Sequence, residues 1–339
     1  MSSAAAVGQW SLCASPPPVE RYDVALLDLD GVVYVGDTPV PHAVEALAAA
    51  EQQGMAREYV TNNALRPPQD VAAKLNRLGI RATVEQVVTS AQAAAHLLAD
   101  RLPAGATVLA VGGKGLRQAV LERGFALCDT ADADPAAVVI GYDPEIDYRR
   151  LSEAALAVSR GATFVVSNRD ATIPSARGLL PGMGALAAVV VTATGREPLV
   201  AGKPEEALHA ESVRRSGAQR PIVVGDRLDT DVEGARRAGT PSLLVLTGVT
   251  DVLALATAPP HRRPDLVGHD LRALLQAHPD AVDGRCRDAR ARYDSGSHRV
   301  VVEVGASRDR TDAVRAAVTV AWRALDEGNR VEGVDGIDG

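Results

Sequence analysis

From Tyr22 onward, short runs rich in aliphatic and β-branched residues alternate with longer stretches of helical pattern. "VALLDLD" reads as a buried strand, and "PHAVEALAAAEQQG" as a helix that ends at Gly54. "REYVTNN" is the next strand, and "PPQDVAAKLNRLG" a helix opening on prolines. This βαβα rhythm predicts a parallel sheet with helices on both faces. A second series follows: a helix "AQAAAHLLADRL" capped by Ser90, strand "TVLAVGG", helix "KGLRQAVLERG", strand "AAVVIGY", helix "YRRLSEAALAVSRG" and strand "TFVVSN". The first rhythm then resumes with helix "GALAAVVVTATG", "PLVAGKP", helix "PEEALHAESVRRSG", strand "PIVVGD", helix "TDVEGARRAG" and strand "SLLVLTG". "DLVGHDLRALLQAH" closes it with a strand and a helix.

Beyond about Asp280 the pattern changes. "RCRDARARYDSGSHRVVVEV" reads as a β-hairpin around Asp294-Ser295-Gly296, and "DRTDAVRAAVTVAWRALDEG" as an amphipathic helix. The expected fold class is therefore α/β: a doubly wound parallel-sheet core, an inserted α/β domain and a small C-terminal α+β appendage. The expected bounds are a lead without structure at 1–20, a core at 21–87 and 182–279, the inserted domain at 88–181, the appendage at 280–330 and an unstructured tail at 331–339.

Composition narrows the function. The chain has 339 residues, long enough for two domains. Its 46% hydrophobic and 23% charged residues suit a globular protein, and with 3% aromatics the core must be aliphatic. A formal net charge of -7 argues against nucleic acid, since phosphate-backbone binding needs a basic surface. Cys13, Cys128 and Cys286 are odd in number and scattered, with neither a disulfide framework nor a zinc spacing. The start lacks the basic and apolar regions of a signal peptide, and "ALAAVVV" is far too short to span a membrane. A cytoplasmic protein with no membrane partner is the expectation.

In an open parallel sheet, ligands bind beyond the carboxyl ends of the strands. The first strand ends in Asp28-Leu29-Asp30-Gly31 and the second in Thr61-Asn62-Asn63. "LVAG" ends in Lys203-Pro204, and "PIVV" in Gly225-Asp226, followed by Asp229 and Asp231. Acids gathered on one rim repel one another unless a cation sits among them, and oxygen-only ligands point to Mg²⁺. A metal, a lysine and a Thr-Asn cluster describe a site that handles phosphate, with Lys203 and Thr61 against phosphoryl oxygens. No Ser-His or Cys-His pair supplies a nucleophile. A strand-end carboxylate can attack phosphorus to form an aspartyl phosphate, and a second carboxylate two residues on can serve as general acid and base.

"DLDGVVY", "TNN", "GKP" and "GDRLDTD", in that order and spacing, resemble the four motifs of haloacid-dehalogenase-type phosphatases of class IIA, whose cap is inserted between the second and third motifs. The resemblance covers roughly residues 22 to 278. Within that class, "GLLPGMGAL", "VAGKP" and "VVGDRLDTDVEGARRAGTPSLLVLTGV" are similar to actinobacterial glycerol-3-phosphate phosphatases. The resemblance implies Asp28 as nucleophile and Mg²⁺ ligand, and Asp30 as acid and base that also binds the metal through its backbone carbonyl. It implies Thr61, Asn62, Asn63 and Lys203 as phosphoryl-binding residues and Asp226 as the third metal ligand, with Asp229 and Asp231 in an outer shell at best. The substrate it implies is a small phosphorylated metabolite, glycerol 3-phosphate.

Blander readings compete at each position. "DLDG" could be a solvated strand end before a turn, "TNN" a capping turn, and Lys203 a loop lysine; the ordered set of four outweighs them. Asp229 and Thr230 stand where a helix N-cap is expected, with Asp231 in the first turn. "VGGKGLRQ" lacks the spacing of a nucleotide loop and reads as a tight turn. Asn168, Asp170, Arg177 and Met183 are candidates for reading the leaving group. Phosphatases of 2-phosphoglycolate, sugar phosphates, pyridoxal phosphate or nucleotide monophosphates would use the same parts. Dehalogenation would need neither Asp30 nor Asp226, a phosphomutase would reuse the aspartyl phosphate, and a non-enzymatic scaffold would assemble through the appendage. Cap and appendage both offer surfaces for a homodimer.

Overall fold

The computed structural model of the chain describes residues 12–175, 177–305 and 309–337. It divides into two units, one built from Met1–Ala56 and Arg220–Gly339 and the other from Arg57–Gln219.

In the first unit the strands Leu266–Gly268, Ser242–Val245, Pro221–Gly225 and Val24–Leu27 lie side by side in that order, all parallel. A parallel strand covered on both faces has no polar side, which is why Val24, Ala25, Leu26 and Leu27 are all apolar and all buried. The helix Ala43–Gln52 turns Ala43, Ala46, Leu47 and Ala50 inward and packs on the 3₁₀ turn Leu271–Leu275. Leu27 is paired with Val224. The residues that follow, Asp28 on one strand and Gly225–Asp226 on the other, therefore leave the sheet side by side.

The appendage is larger than a hairpin and a helix. Its sheet has five strands, in the order Ala281–Val282, Arg285–Cys286, Ala289–Asp294, Arg299–Glu303 and Gly333–Asp335. The first four are antiparallel and the last pair is parallel. The helix Arg310–Asp326 packs on this sheet and buries Val314, Ala317, Val318, Ala321 and Trp322. Those side chains share one apolar cluster with Val232, Leu244, Leu255 and Val267, so the appendage has no core separate from that of the parallel sheet. Arg263, 1% exposed, seals the seam: Asp326 pairs with it at 2.7 Å, and its guanidinium lies 5.3 Å from the Trp322 ring centroid.

Two segments expected to lack structure are ordered in part. Leu12 bridges Ala281, Ser15 bridges His278, and Pro18–Arg21 forms a helical turn; Gly333–Asp335 is a strand. Leu12 and Val331 are buried in the shared cluster. Single apolar anchors of this kind set up no periodicity, so the sequence pattern does not register them. The rest of the lead, residues 1–11, and the final residues 338–339 lie outside the described residues.

In the second unit the strands Ala56–Thr61 and Val87–Thr89 pair in parallel. A separate five-stranded parallel sheet runs in the order Leu199–Val200, Thr163–Val166, Ala137–Ile140, Thr107–Val111 and Ala126–Cys128. The helix Met183–Thr194 packs against Tyr148–Ser159 and lends Met183, Ala187 and Val190 to the same core. The inserted body thus continues past residue 181, where the sequence placed the return to the first sheet. An Ala- and Val-rich helix is apolar on most sides and carries no stripe that would assign it to one sheet. Among the described residues, no helix is long and apolar enough to cross a membrane.

Candidate active site

Asp28 follows directly on Val24–Leu27, and its N–H donates to Val224 O at 2.8 Å. Asp226 follows Pro221–Gly225, and Asp231 lies in the π-helical turn Leu228–Val232. One carboxylate oxygen from each of Asp28, Asp226 and Asp231 lies within 4.8 Å of the other two. Asp226 and Asp231 are each 1% exposed. Carboxylates this close in a low-dielectric setting repel strongly. Backbone dipoles offset part of that: Val249 N–H donates to Asp226 Oδ2 at 2.6 Å and Arg227 N–H to Asp231 Oδ2 at 3.2 Å. An all-oxygen donor set of three acids fits a hard divalent cation such as Mg²⁺.

Glycine makes the close approach to Asp226 feasible. Gly31 has φ of +85°, and a Cβ there would stand 2.6 Å from Asp226 Oδ2. A Cβ on Gly248 would collide with the same carboxylate. Between the two aspartates, Leu29 is buried and Asp30 exposed. The chain then turns tightly, with Gly31 N–H donating to Tyr34 O and Val33 N–H to Leu29 O, both at 2.9 Å, while Thr247 Oγ1 donates to Gly31 O at 2.6 Å.

Asp229 does not cap a helix. Arg227 Nε and Nη2 donate to its two oxygens at 3.1 and 2.9 Å. Burial pushes the Asp229 carboxyl up, but the Arg227 hydrogen bonds and charge outweigh it and leave it below the usual carboxylate range. Asp231, expected in an outer shell at best, belongs to the acid cluster. The π turn explains the exchange: Val232 N–H reaches back to Arg227 O, five residues away, and the wider turn carries Asp231 back beneath the strand end. The spacing of five between Asp226 and Asp231 is the only trace of this in the sequence.

The second group lies wholly in the unit Arg57–Gln219. Thr61, 5% exposed, ends its strand, and its Oγ1 accepts from Asn63 N–H at 3.1 Å. Asn63 is exposed, and its Oδ1 accepts from Leu65 N–H at 2.8 Å. Lys203, 3% exposed, donates from Nζ to Val60 O at 3.4 Å. Asn62 does not point outward beside Thr61. Its Oδ1 accepts from Lys203 N–H at 2.8 Å, and its Nδ2 donates to Lys203 O at 3.2 Å. The helix Ser90–Ala99 is capped by Thr89 in a box with Gln92, one residue before the expected cap, and Ser90 Oγ instead donates to Asn62 O at 2.6 Å. Of the four candidates for the leaving group, Asn168 and Asp170 lie beside Asn62, Arg177 is exposed, and Met183 is buried in the core of the inserted body.

The profile of haloacid dehalogenase-like hydrolases matches residues 25–126, and a HAD-hydrolase-like profile matches residues 200–274. A D-glycerol 3-phosphate phosphatase of Mycobacterium tuberculosis is 48% identical over 257 residues, 76% of this chain and 72% of that protein. An acid sugar phosphatase of Staphylococcus saprophyticus is 39% identical over 68% of this chain and 89% of its own length. A crystal structure of the M. tuberculosis glycerol phosphate phosphatase in complex with magnesium superposes with a TM-score of 0.83 at 42% identity, covering 95% of each chain. The 4-nitrophenylphosphatase of Thermotoga maritima gives 0.71 at 29% identity, covering 76% of this chain and 97% of that one.

Proposed function

The chain belongs to the haloacid dehalogenase-like hydrolases, and on that premise we propose that it is a Mg²⁺-dependent phosphatase whose substrate is glycerol 3-phosphate. The observation that carries the reading is the cluster of Asp28, Asp226 and Asp231 at adjacent strand ends. The substrate rests on the 48% identity with a relative that bears that name.

Asp28 is the nucleophile: one carboxylate oxygen attacks phosphorus, the P–O bond to the glycerol oxygen breaks, and Asp30 gives its proton to the departing alkoxide. Asp30, now a carboxylate, takes a proton from water, which attacks the aspartyl phosphate. Inorganic phosphate leaves, Asp28 is regenerated and Asp30 is again protonated. Thr61 and Lys203 hold the phosphoryl oxygens and Asn63 completes that cradle, while the Asn62 side chain, expected there too, is engaged by the main chain of Lys203. Asp28, Asp226 and Asp231, with the backbone carbonyl of Asp30, are the groups that hold Mg²⁺, which neutralises charge on the phosphoryl oxygens.

The inserted α/β body, which on this reading is the cap, selects the leaving group with Asp170 and Asn168. The same reading places the chain in the cytoplasm, in keeping with cysteines that form no disulfide. It also includes a homodimer through cap or appendage, for which the exposed Leu179 and Leu180 are among the apolar candidates on the cap.

Phosphate release from a panel of phosphomonoesters tests the proposal, with Mg²⁺ or EDTA, for wild type and Asp28→Asn. The expected result is release that needs both Mg²⁺ and Asp28, with glycerol 3-phosphate ranked first by kcat/KM. No release from any ester would overturn the phosphatase; a different best ester would overturn only the substrate.

A further inference from the structure

The side chain of Asn62 is turned onto the main chain of Lys203. Its amide makes a cyclic pair with the donor and the acceptor of one residue: Lys203 N–H donates to Oδ1 at 2.8 Å, and Nδ2 donates to Lys203 O at 3.2 Å. The backbone carbonyl of the same residue is held from two other directions, by Ser90 Oγ at 2.6 Å and by Asn168 Nδ2 at 2.8 Å. Gly202 lets the chain come this close, since a Cβ there would stand 2.6 Å from Asn62 Oδ1 and 2.5 Å from Ser167 O. Asp170, two residues past Asn168, lies at 3.4 Å from Asn62 Nδ2.

We infer that Asn62 is a positioning residue that sets the main chain of Lys203 and locks it to the loop Asn168–Asp170, so that Thr61, Lys203 and Asp170 hold one fixed arrangement. The inference deepens the phosphatase reading above and rests on it for its kinetic part. Only an amide serves here. An aspartate keeps the shape but puts a second acceptor against Lys203 O and a second carboxylate beside Asp170, so both contacts turn repulsive. A misplaced charge of this kind can cost roughly 10²-fold in rate, and the loss passes through Lys203 because Asn62 is not aimed at the substrate.

Two measurements on the full chain with Mg²⁺ test this. The first is hydrogen exchange at the Lys203 amide, which depends on no activity. Asn62→Ala and the isosteric Asn62→Asp should lose protection there while the strands Ala137–Ile140 and Thr163–Val166 keep theirs. Unchanged protection at Lys203 overturns the lock, and a loss across those strands overturns its local character. The second is a double-mutant cycle in kcat/KM on whichever phosphomonoester the wild type cleaves. Lys203→Ala combined with Asn62→Ala should lie within about twofold of Lys203→Ala alone. Losses that multiply would show that Asn62 acts on its own and overturn the assignment. Gly202→Ala, which leaves residue 62 intact and pushes the loop off it, should reproduce the Asn62→Ala defect; wild-type kcat/KM in that variant would count against the lock. If the wild type cleaves nothing, the phosphatase reading fails, and the exchange experiment still decides the lock.

Discussion

Glu58 is a carboxylic acid in an apolar setting, and its cost can be worked out. It is 7% exposed, and its Oε2 has no hydrogen-bond partner among the described residues. Burial pushes its pKa from 4.5 up to about 7, against a smaller opposing pull from Arg215. The folded chain therefore keeps a proton that the unfolded chain gives up at the ordinary value. The stabilisation is fully present below pH 4.5 and is lost as pH rises through about 7. At about 1.4 kcal/mol per pH unit, the shift caps that loss at about 3 kcal/mol. Urea denaturation of wild type and Glu58→Gln at intervals from about pH 5 to about pH 8 reads it. The wild-type curve should fall relative to the variant by about 2–3 kcal/mol over that range, because Gln carries no proton to lose. Parallel curves, or a wild type that gains stability over the variant as pH rises, would refute the account of the carboxyl's surroundings.

Other consequences are as direct. Asp231→Asn should raise the Mg²⁺ concentration for half-maximal phosphate release by about 10–100-fold, while Asp229→Asn, whose partner is Arg227, should change it by less than about threefold. Equal effects would mean that the π turn does not discriminate between them. Asp326→Ala leaves the buried Arg263 without its carboxylate and should destabilise the first unit by about 3–5 kcal/mol, read by urea denaturation followed by tryptophan fluorescence in a Trp10→Phe background; a loss under about 1 kcal/mol would exclude a buried pair there. Truncation after Val282 strips the helix Arg310–Asp326 from the cluster containing Leu244 and Val267. That protein should be insoluble or bind a hydrophobic dye, and a soluble, fully active truncation would contradict the shared core.

Much of this fold was legible because its first sheet is buried on both faces. A strand such as Val24–Leu27 has nowhere to put a polar side chain, so an unbroken apolar run ending in Asp28 marks both the strand and the place where it meets solvent. Parallel pairing then brings the carboxyl ends of these strands to one rim, which is why Asp28 and Asp226 could be matched across 198 positions of sequence from their places at strand ends. The boundary at residue 181 was not legible. Whether the strand Leu199–Val200 joins one sheet or another depends on which edge is open, and a strand of two residues carries no pattern that says so. Residues 12–20 and 333–335 escaped for a related reason, since each is held by pairing with an element distant from it in the sequence.

Within the site, the residues whose identity is set by their chemistry were legible, and those whose role is set by a rotamer or a turn were not. "GDRLDTD" offers three aspartates after one strand, and α-helical spacing would favour Asp229 at the cap and leave Asp231 outside. Two i→i+5 hydrogen bonds, Val232 N–H to Arg227 O and Glu233 N–H to Leu228 O, reverse that assignment. The contacts that go with the wider turn are local, since Asp231 is held by Arg227 N–H and the Arg227 side chain occupies Asp229, but residue types alone do not say which aspartate takes which partner. "TNN" poses the same difficulty. An amide can face a phosphate or a peptide equally well, and at Asn62 the peptide is within reach because Gly202, 140 residues away, has no side chain to crowd its Oδ1. A motif thus names the atoms available to a reaction, while close approach between distant backbones decides which of those atoms are spent holding the others in place.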